Sequence, residues 1–116
     1  MEEALFLFFR GSTPTLELVL PLEVGPSDVV YLTLSQGGQP VVEYALNGVA
    51  SPAGTGQLSR SEEDYNVLLL FMSQADTLAL AAGDVELQLR LKNQVGADTF
   101  RPLFGRVGPA RRAGVI

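Results

Sequence analysis

A chain of 116 residues with neither cysteine nor histidine can form no disulfide and offers no thiolate. It also lacks the commonest metal ligand and the commonest general base at neutral pH. The length fits one domain, and a 47% hydrophobic share with mean hydropathy of +0.22 leaves apolar surface to spare for a partner. A net charge of −5 and a pI near 4.5 oppose binding to a phosphate backbone.

The first predicted strand runs from Leu5 to Arg10. Its apolar run, Ala4 to Phe9, follows two acids and is too short for a secretory signal or for the roughly 20 apolar residues of a membrane span. The expectation is a protein made in the cytoplasm and not exported by a signal peptide. A hinge follows, Arg10 to Pro14, in which Gly11 supplies a bend while Pro14 fixes its own φ and pushes Thr13 into extended conformations. That lead-in delivers Leu16, Leu18 and Leu20 to one face of a strand over 15–21 and leaves Arg10 open to a contact role.

The next strand, 29–36, points Val30, Leu32 and Leu34 inward if Tyr31, Thr33 and Ser35 point out. Gly37 and Gly38 permit the positive φ of a tight hairpin turn into a strand over 40–47 that buries Val42, Tyr44 and Leu46. Residues 48–65, with Pro52, Gly54, Gly56 and the acidic run Glu62, Glu63 and Asp64, read as one long exposed loop. The strand over 66–73 is apolar on both parities from Val67 to Met72, so it is covered on both faces or touches a partner. One short helical turn is predicted near 73–82, with Ser73 as cap, Asp76 three residues on and Gly83 as stop.

The clearest strand, 84–93, places Val85, Leu87, Leu89 and Leu91 on one face and Glu86, Gln88, Arg90 and Lys92 on the other. A weaker seventh strand spans 99–107, and a loop-like tail, 109–116, begins at Pro109. About seven short strands and no long helix define an all-β chain: a single-domain, two-layer antiparallel β-sandwich, immunoglobulin-like, over residues 1–116.

Charge is segregated along the chain. Residues 1–89 hold twelve acids and two basic residues, whereas 90–116 hold six basic residues and Asp98. Either acidic and basic strands neutralise each other across a sheet, or the subunit is dipolar and its basic end meets an acidic end of its neighbour. The run Glu62 to Asp64 lacks the alternating ligands and fixed glycine of a calcium loop. Glu17, Glu43 and Glu86 sit on strands without a tryptophan platform beside them, which argues against glycoside hydrolysis. No catalytic residue, metal site or cofactor is therefore expected. A carbohydrate- or protein-binding module of a bacterial host is the alternative reading, with Tyr31 and Tyr65 as the aromatics placed to face outward.

Three stretches carry a resemblance: Arg10 to Val24, Val29 to Leu46 and Ser73 to Gly96, together with the endings Gly105 to Gly108 and Gly114 to Ile116. They resemble small proteins encoded in the tail and baseplate region of prophages of gut Firmicutes. Arg10, Gly11, Thr13, Pro14 and Thr15 occupy the hinge positions of that pattern, and Gln74, Asp76, Thr77 and Leu78 its turn positions. The order of parts is more distantly similar to the amino-terminal immunoglobulin-like domain of phage upper-baseplate proteins. The resemblance implies a non-enzymatic phage structural or assembly-adaptor protein, virion-associated, whose partners are other phage subunits or itself. The expected interface residues are Phe6, Phe8, Arg10, Arg101, Arg106, Arg111 and Arg112.

Overall fold

The structure is a computed structural model, and it describes residues 6–110. Nine strands, β1 (Phe6–Phe9), β2 (Thr15–Val19), β3 (Val29–Gln36), β4 (Gln39–Leu46), β5 (Gln57–Arg60), β6 (Val67–Phe71), β7 (Gly83–Lys92), β8 (Ala97–Thr99) and β9 (Leu103–Gly108), and one helix, α1 (Gln74–Ala79), are formed. The strands make two facing sheets. One has the order β1-β9-β7-β3-β4, with β8 also paired to β7, and the other has the order β2-β6-β5.

The period of two dictates this layering. Val30, Leu32 and Leu34 of β3 are fully buried between the sheets, as are Leu68 and Leu70 of β6, and Val85, Leu87, Leu89 and Leu91 of β7 are nearly so. Each such side chain contributes on the order of 1.5–3 kcal/mol by leaving water. Leu32 lies opposite Leu89 on one side and Tyr44 on the other, so the register stacks apolar side chains across three strands. The β3–β4 hairpin turns through Gly37 (φ 60°) and Gly38 (φ 78°), the two positive φ values that a two-residue hairpin of this twist requires.

The hinge is where the chain changes sheets. β1 pairs with β9 in the larger sheet, and β2, six residues later, pairs with β6 in the smaller one. Gly11 (φ 81°) makes the bend, and its N–H donates to Thr77 Oγ1 at 3.0 Å. Thr77, fully buried on α1, in turn donates to Ser12 O at 2.8 Å, and the Arg10 guanidinium reaches Leu78 O at 3.0 Å. The short helix therefore clamps the crossing point. Ser73 caps α1 by accepting from the Asp76 N–H, but the helix ends at Ala79 with an extended Leu80, before Gly83, which instead opens β7 at φ 130°.

The sandwich is antiparallel as expected, apart from the parallel pairing of β1 with β9. Two expectations change. The stretch 48–65 is not one exposed loop: β5 lies within it, and Leu58 is buried against the core. β5 was hidden because only Leu58 in Gln57–Arg60 is apolar, too short a run to show alternation. The weak seventh strand is two strands, broken at Phe100 to Pro102, where Pro102 has no N–H to donate to the ladder.

Candidate functional site

A sandwich of two sheets has two open sides, and this molecule treats them differently. On the side of β4 and β5, residues 50–56 form a strap. The Glu43 N–H donates to Pro52 O (2.7 Å) and the Gly54 N–H to Glu43 O (3.0 Å), so the strap occupies part of the outer edge of β4. Asp76, 4% exposed at the start of α1, anchors the strap's far end. Its carboxylate accepts from the N–H groups of Thr55 and Gly56, both at 2.8 Å, from Thr55 Oγ1 at 3.2 Å and from Tyr44 OH at 2.5 Å. Thr55 Oγ1 and Ser73 Oγ share a further hydrogen bond.

Burial raises the Asp76 carboxyl, but the hydrogen bonds from Thr55, Tyr44 and Gly56 together outweigh it and hold the group below its ordinary value. Burial, followed by the bond to Asp76 and the charge of Asp76, pushes the Tyr44 phenol above its own. The cluster is thus an ionised carboxylate with its donors supplied. A polar cleft of about 290 Å³ beside it is lined by Glu43, Tyr44, Gly54 and Gln57.

The opposite side is open. β2 pairs with β6 alone, so its other edge has no neighbour among the described residues. The bonds Leu20 N–H to Asn66 O and Met72 N–H to Pro14 O place the hydrogen-bonded pairs of this ladder at even-numbered positions of β2. The backbone groups of Thr15, Glu17 and Val19 therefore face away from β6. Behind that edge a groove of about 300 Å³ enters the sandwich, lined chiefly by Leu18, Leu20, Leu87, Leu89, Phe100 and Leu103, with Glu17 and Arg101 at its mouth.

The outward face of the smaller sheet continues this surface. Val19 is 68% and Phe71 43% exposed, with half-buried Val67 and Leu69 beside them. The strand that reads as apolar on both parities thus has Leu68, Leu70 and Met72 in the core and Val67, Leu69 and Phe71 on a face that no described element covers.

The expected interface residues scatter over this frame. Phe8 is 3% exposed and its ring stacks with Phe6 (centroids 6.1 Å apart), which itself packs on the core. Phe8 is therefore a core residue with no surface to offer a partner: strand parity sends Phe6 and Phe8 inward and leaves Leu7, 59% exposed, outside. Arg10 is spent on the hinge clamp. Arg106 pairs with Asp84 at 3.3 Å on the surface of the larger sheet, far from solvent exclusion on both sides. Of the described residues in this set, Arg101 lines the open groove. Arg111 and Arg112 lie outside the described residues.

The other candidates are not brought together either. Glu43 is buried and engaged by Thr33 Oγ1 (2.8 Å), the Ser51 N–H (3.1 Å) and Arg90 (3.4 Å), while Glu17 lies on the other sheet. The Arg90 guanidinium lies 5.2 Å from the ring centre of Tyr31, and that of Arg60 lies 4.2 Å from that of Tyr65. No cluster of three or more metal-ligating side chains occurs among the described residues. Sequence reasoning missed the Asp76 hub and the groove. The Ser73-to-Asp76 spacing pointed to a helix cap, but nothing local shows that the carboxylate would reach Thr55.

The molecule is an immunoglobulin-like β-sandwich. Among solved structures it is similar to CopC from Methylosinus trichosporium OB3b, with a TM-score of 0.54 and 16% sequence identity over 90% of this chain and 85% of that one. At that identity the likeness shows the fold alone. No family model matches the sequence, and no curated protein does.

Proposed function

We propose that the protein is a non-enzymatic structural or assembly-adaptor subunit of the phage or prophage type, working through subunit contacts that include contacts with its own copies. The observation that carries this reading is the asymmetry of the two sides: a hydrogen-bonded strap covers part of the β4 edge, while the β2 edge stands open among the described residues, with the exposed apolar side chains Val19 and Phe71 on the same sheet. Open strand edges and contiguous apolar faces are the surfaces by which β-proteins join other chains. The sugar-binding alternative gains little, since an arginine sits over each of the two tyrosine rings it would use.

Light scattering over a range of concentrations tests the reading. Wild type should form discrete oligomers, Phe71→Lys should stay monomeric, and the oligomers should loosen as salt rises toward 1 M, where screening shortens to about 3 Å. A wild-type chain that stays monomeric at every concentration and ionic strength would end the self-assembly reading.

A further inference from the structure

In the four-plus-three arrangement of immunoglobulin-like sandwiches, the larger sheet has the order A-B-E-D and faces C-F-G. Chain order makes β2, β6 and β5 the strands B, E and D, and β3, β7 and β9 the strands C, F and G. β1 comes first but does not take the place of A beside β2; it crosses to the opposite sheet and pairs in parallel with β9. The A position is empty among the described residues. The groove lies behind that vacant position, and the backbone groups of Thr15, Glu17 and Val19 face it.

We propose that this position receives an extended strand from a partner protein, added antiparallel or parallel along β2. The strand carries apolar side chains at alternate positions, which enter the groove between Leu18, Leu20, Leu89 and Leu103. It carries a basic side chain where it passes Glu17 and an acidic one where it passes Arg101. Those two mouth residues define the charges, because the ion pairs among the described residues are Arg90 with Glu43 and Arg106 with Asp84. In a pairing of β2 with the β2 of a second copy centred on Glu17, two Glu17 carboxylates would lie side by side, which disfavours that register. The strand addition deepens the adaptor reading and rests on it by naming the kind of partner the open edge accepts.

The test uses the full chain and synthetic seven-residue strands with valine at alternate positions and one lysine and one glutamate between them, in both orders, followed by fluorescence anisotropy. One order should bind saturably. Replacing the valines with serine, or methylating the amides that face β2, should abolish binding. Val19→Pro removes an N–H that faces the vacant position and spares the ladder to β6, and it should weaken binding at least tenfold. The double variant Glu17→Lys with Arg101→Glu should come to prefer the opposite order. Failure of both orders to bind folded wild type, or equal binding by the methylated strand, overturns the strand addition. Because self-association is scored separately by light scattering, oligomers that persist without peptide binding would sink this inference alone, and peptide binding by a strict monomer would sink the self-assembly reading alone.

Discussion

Replacing Asp76 with asparagine tests what holds the strap in place. The carboxylate accepts from four donors: Thr55 N–H, Gly56 N–H, Thr55 Oγ1 and Tyr44 OH. An amide in the same place keeps one acceptor oxygen and turns an NH₂ group toward the rest, so about two donors lose their partner. Thr55 is exposed and its donors can turn to water, so about one of the donors that lose a partner is enclosed; at about 1–3 kcal/mol for a buried donor left unpaired, the loss is about 1–3 kcal/mol. That is a measurable share of the 5–15 kcal/mol that stabilises a typical domain. Urea unfolding at pH 7, fitted with a common slope, reads it directly. The pH dependence supplies a second check. The folded-state pKa of Asp76 lies below the ordinary 3.8, so its contribution is complete above 3.8 and is lost as pH falls through the lower, folded-state value. The gap between wild type and Asp76→Asn should therefore narrow in strong acid. A gap under about 1 kcal/mol at pH 7, or one that does not change on acidification, would refute the account of Asp76 as an ionised hub.

Leu89→Ala, in a core position 4% exposed, should cost about 2–5 kcal/mol in the same assay, and a cost of a few tenths would mean the facing of β7 is wrong. Gly56→Ala would set a methyl group against the Phe71 carbonyl oxygen, a backbone atom that cannot swing aside, and should lower stability by about 1–3 kcal/mol or more, read as a fall in thermal midpoint. Gly11→Ala should cost about 1–2 kcal/mol because φ is 81° there, and unchanged stability would show that the hinge takes another conformation. Arg106→Ala should change stability by no more than about 0.5 kcal/mol, since both it and Asp84 are largely exposed.

Where burial is one-sided, the sequence spelled out the fold. Alternation in β3 and β7 correctly sends Val30, Leu32, Leu34, Val85, Leu87, Leu89 and Leu91 inward, and the paired glycines mark the hairpin; in β4 Val42 and Tyr44 are core as expected, but Leu46 is only half-buried and Glu43 between them is buried as well. The helical turn is where Ser73 and Asp76 put it. What stayed hidden depends on pairs distant in the chain. The strap is held by contacts between Thr55 and Asp76, 21 residues apart, and no local pattern encodes such a meeting. Phe8 shows the same limit in reverse: read as part of an apolar amino-terminal run it suits an interface, and the place of β1 beside β9, with Phe8 opposite Val107, decides which parity faces the core. The candidate site was the least legible part, because the groove is lined by Leu18 and Leu20 from one sheet and Leu87, Leu89 and Leu103 from the other, side chains that no local pattern brings together.

The parallel pairing of β1 with β9 carries a consequence for how the chain reaches this shape. Phe6 meets Gly105 and Phe8 meets Val107, so one of the first described strands is completed by the last. Loop-closure entropy must be met before such distant contacts repay it, which places this step late and makes it slow. While the chain is emerging from the ribosome, Phe6 and Phe8 are available for non-native contacts until β9 has been synthesised. The hinge clamp at Gly11 and Thr77 can form earlier, and it would hold β1 near its final place through that exposed interval.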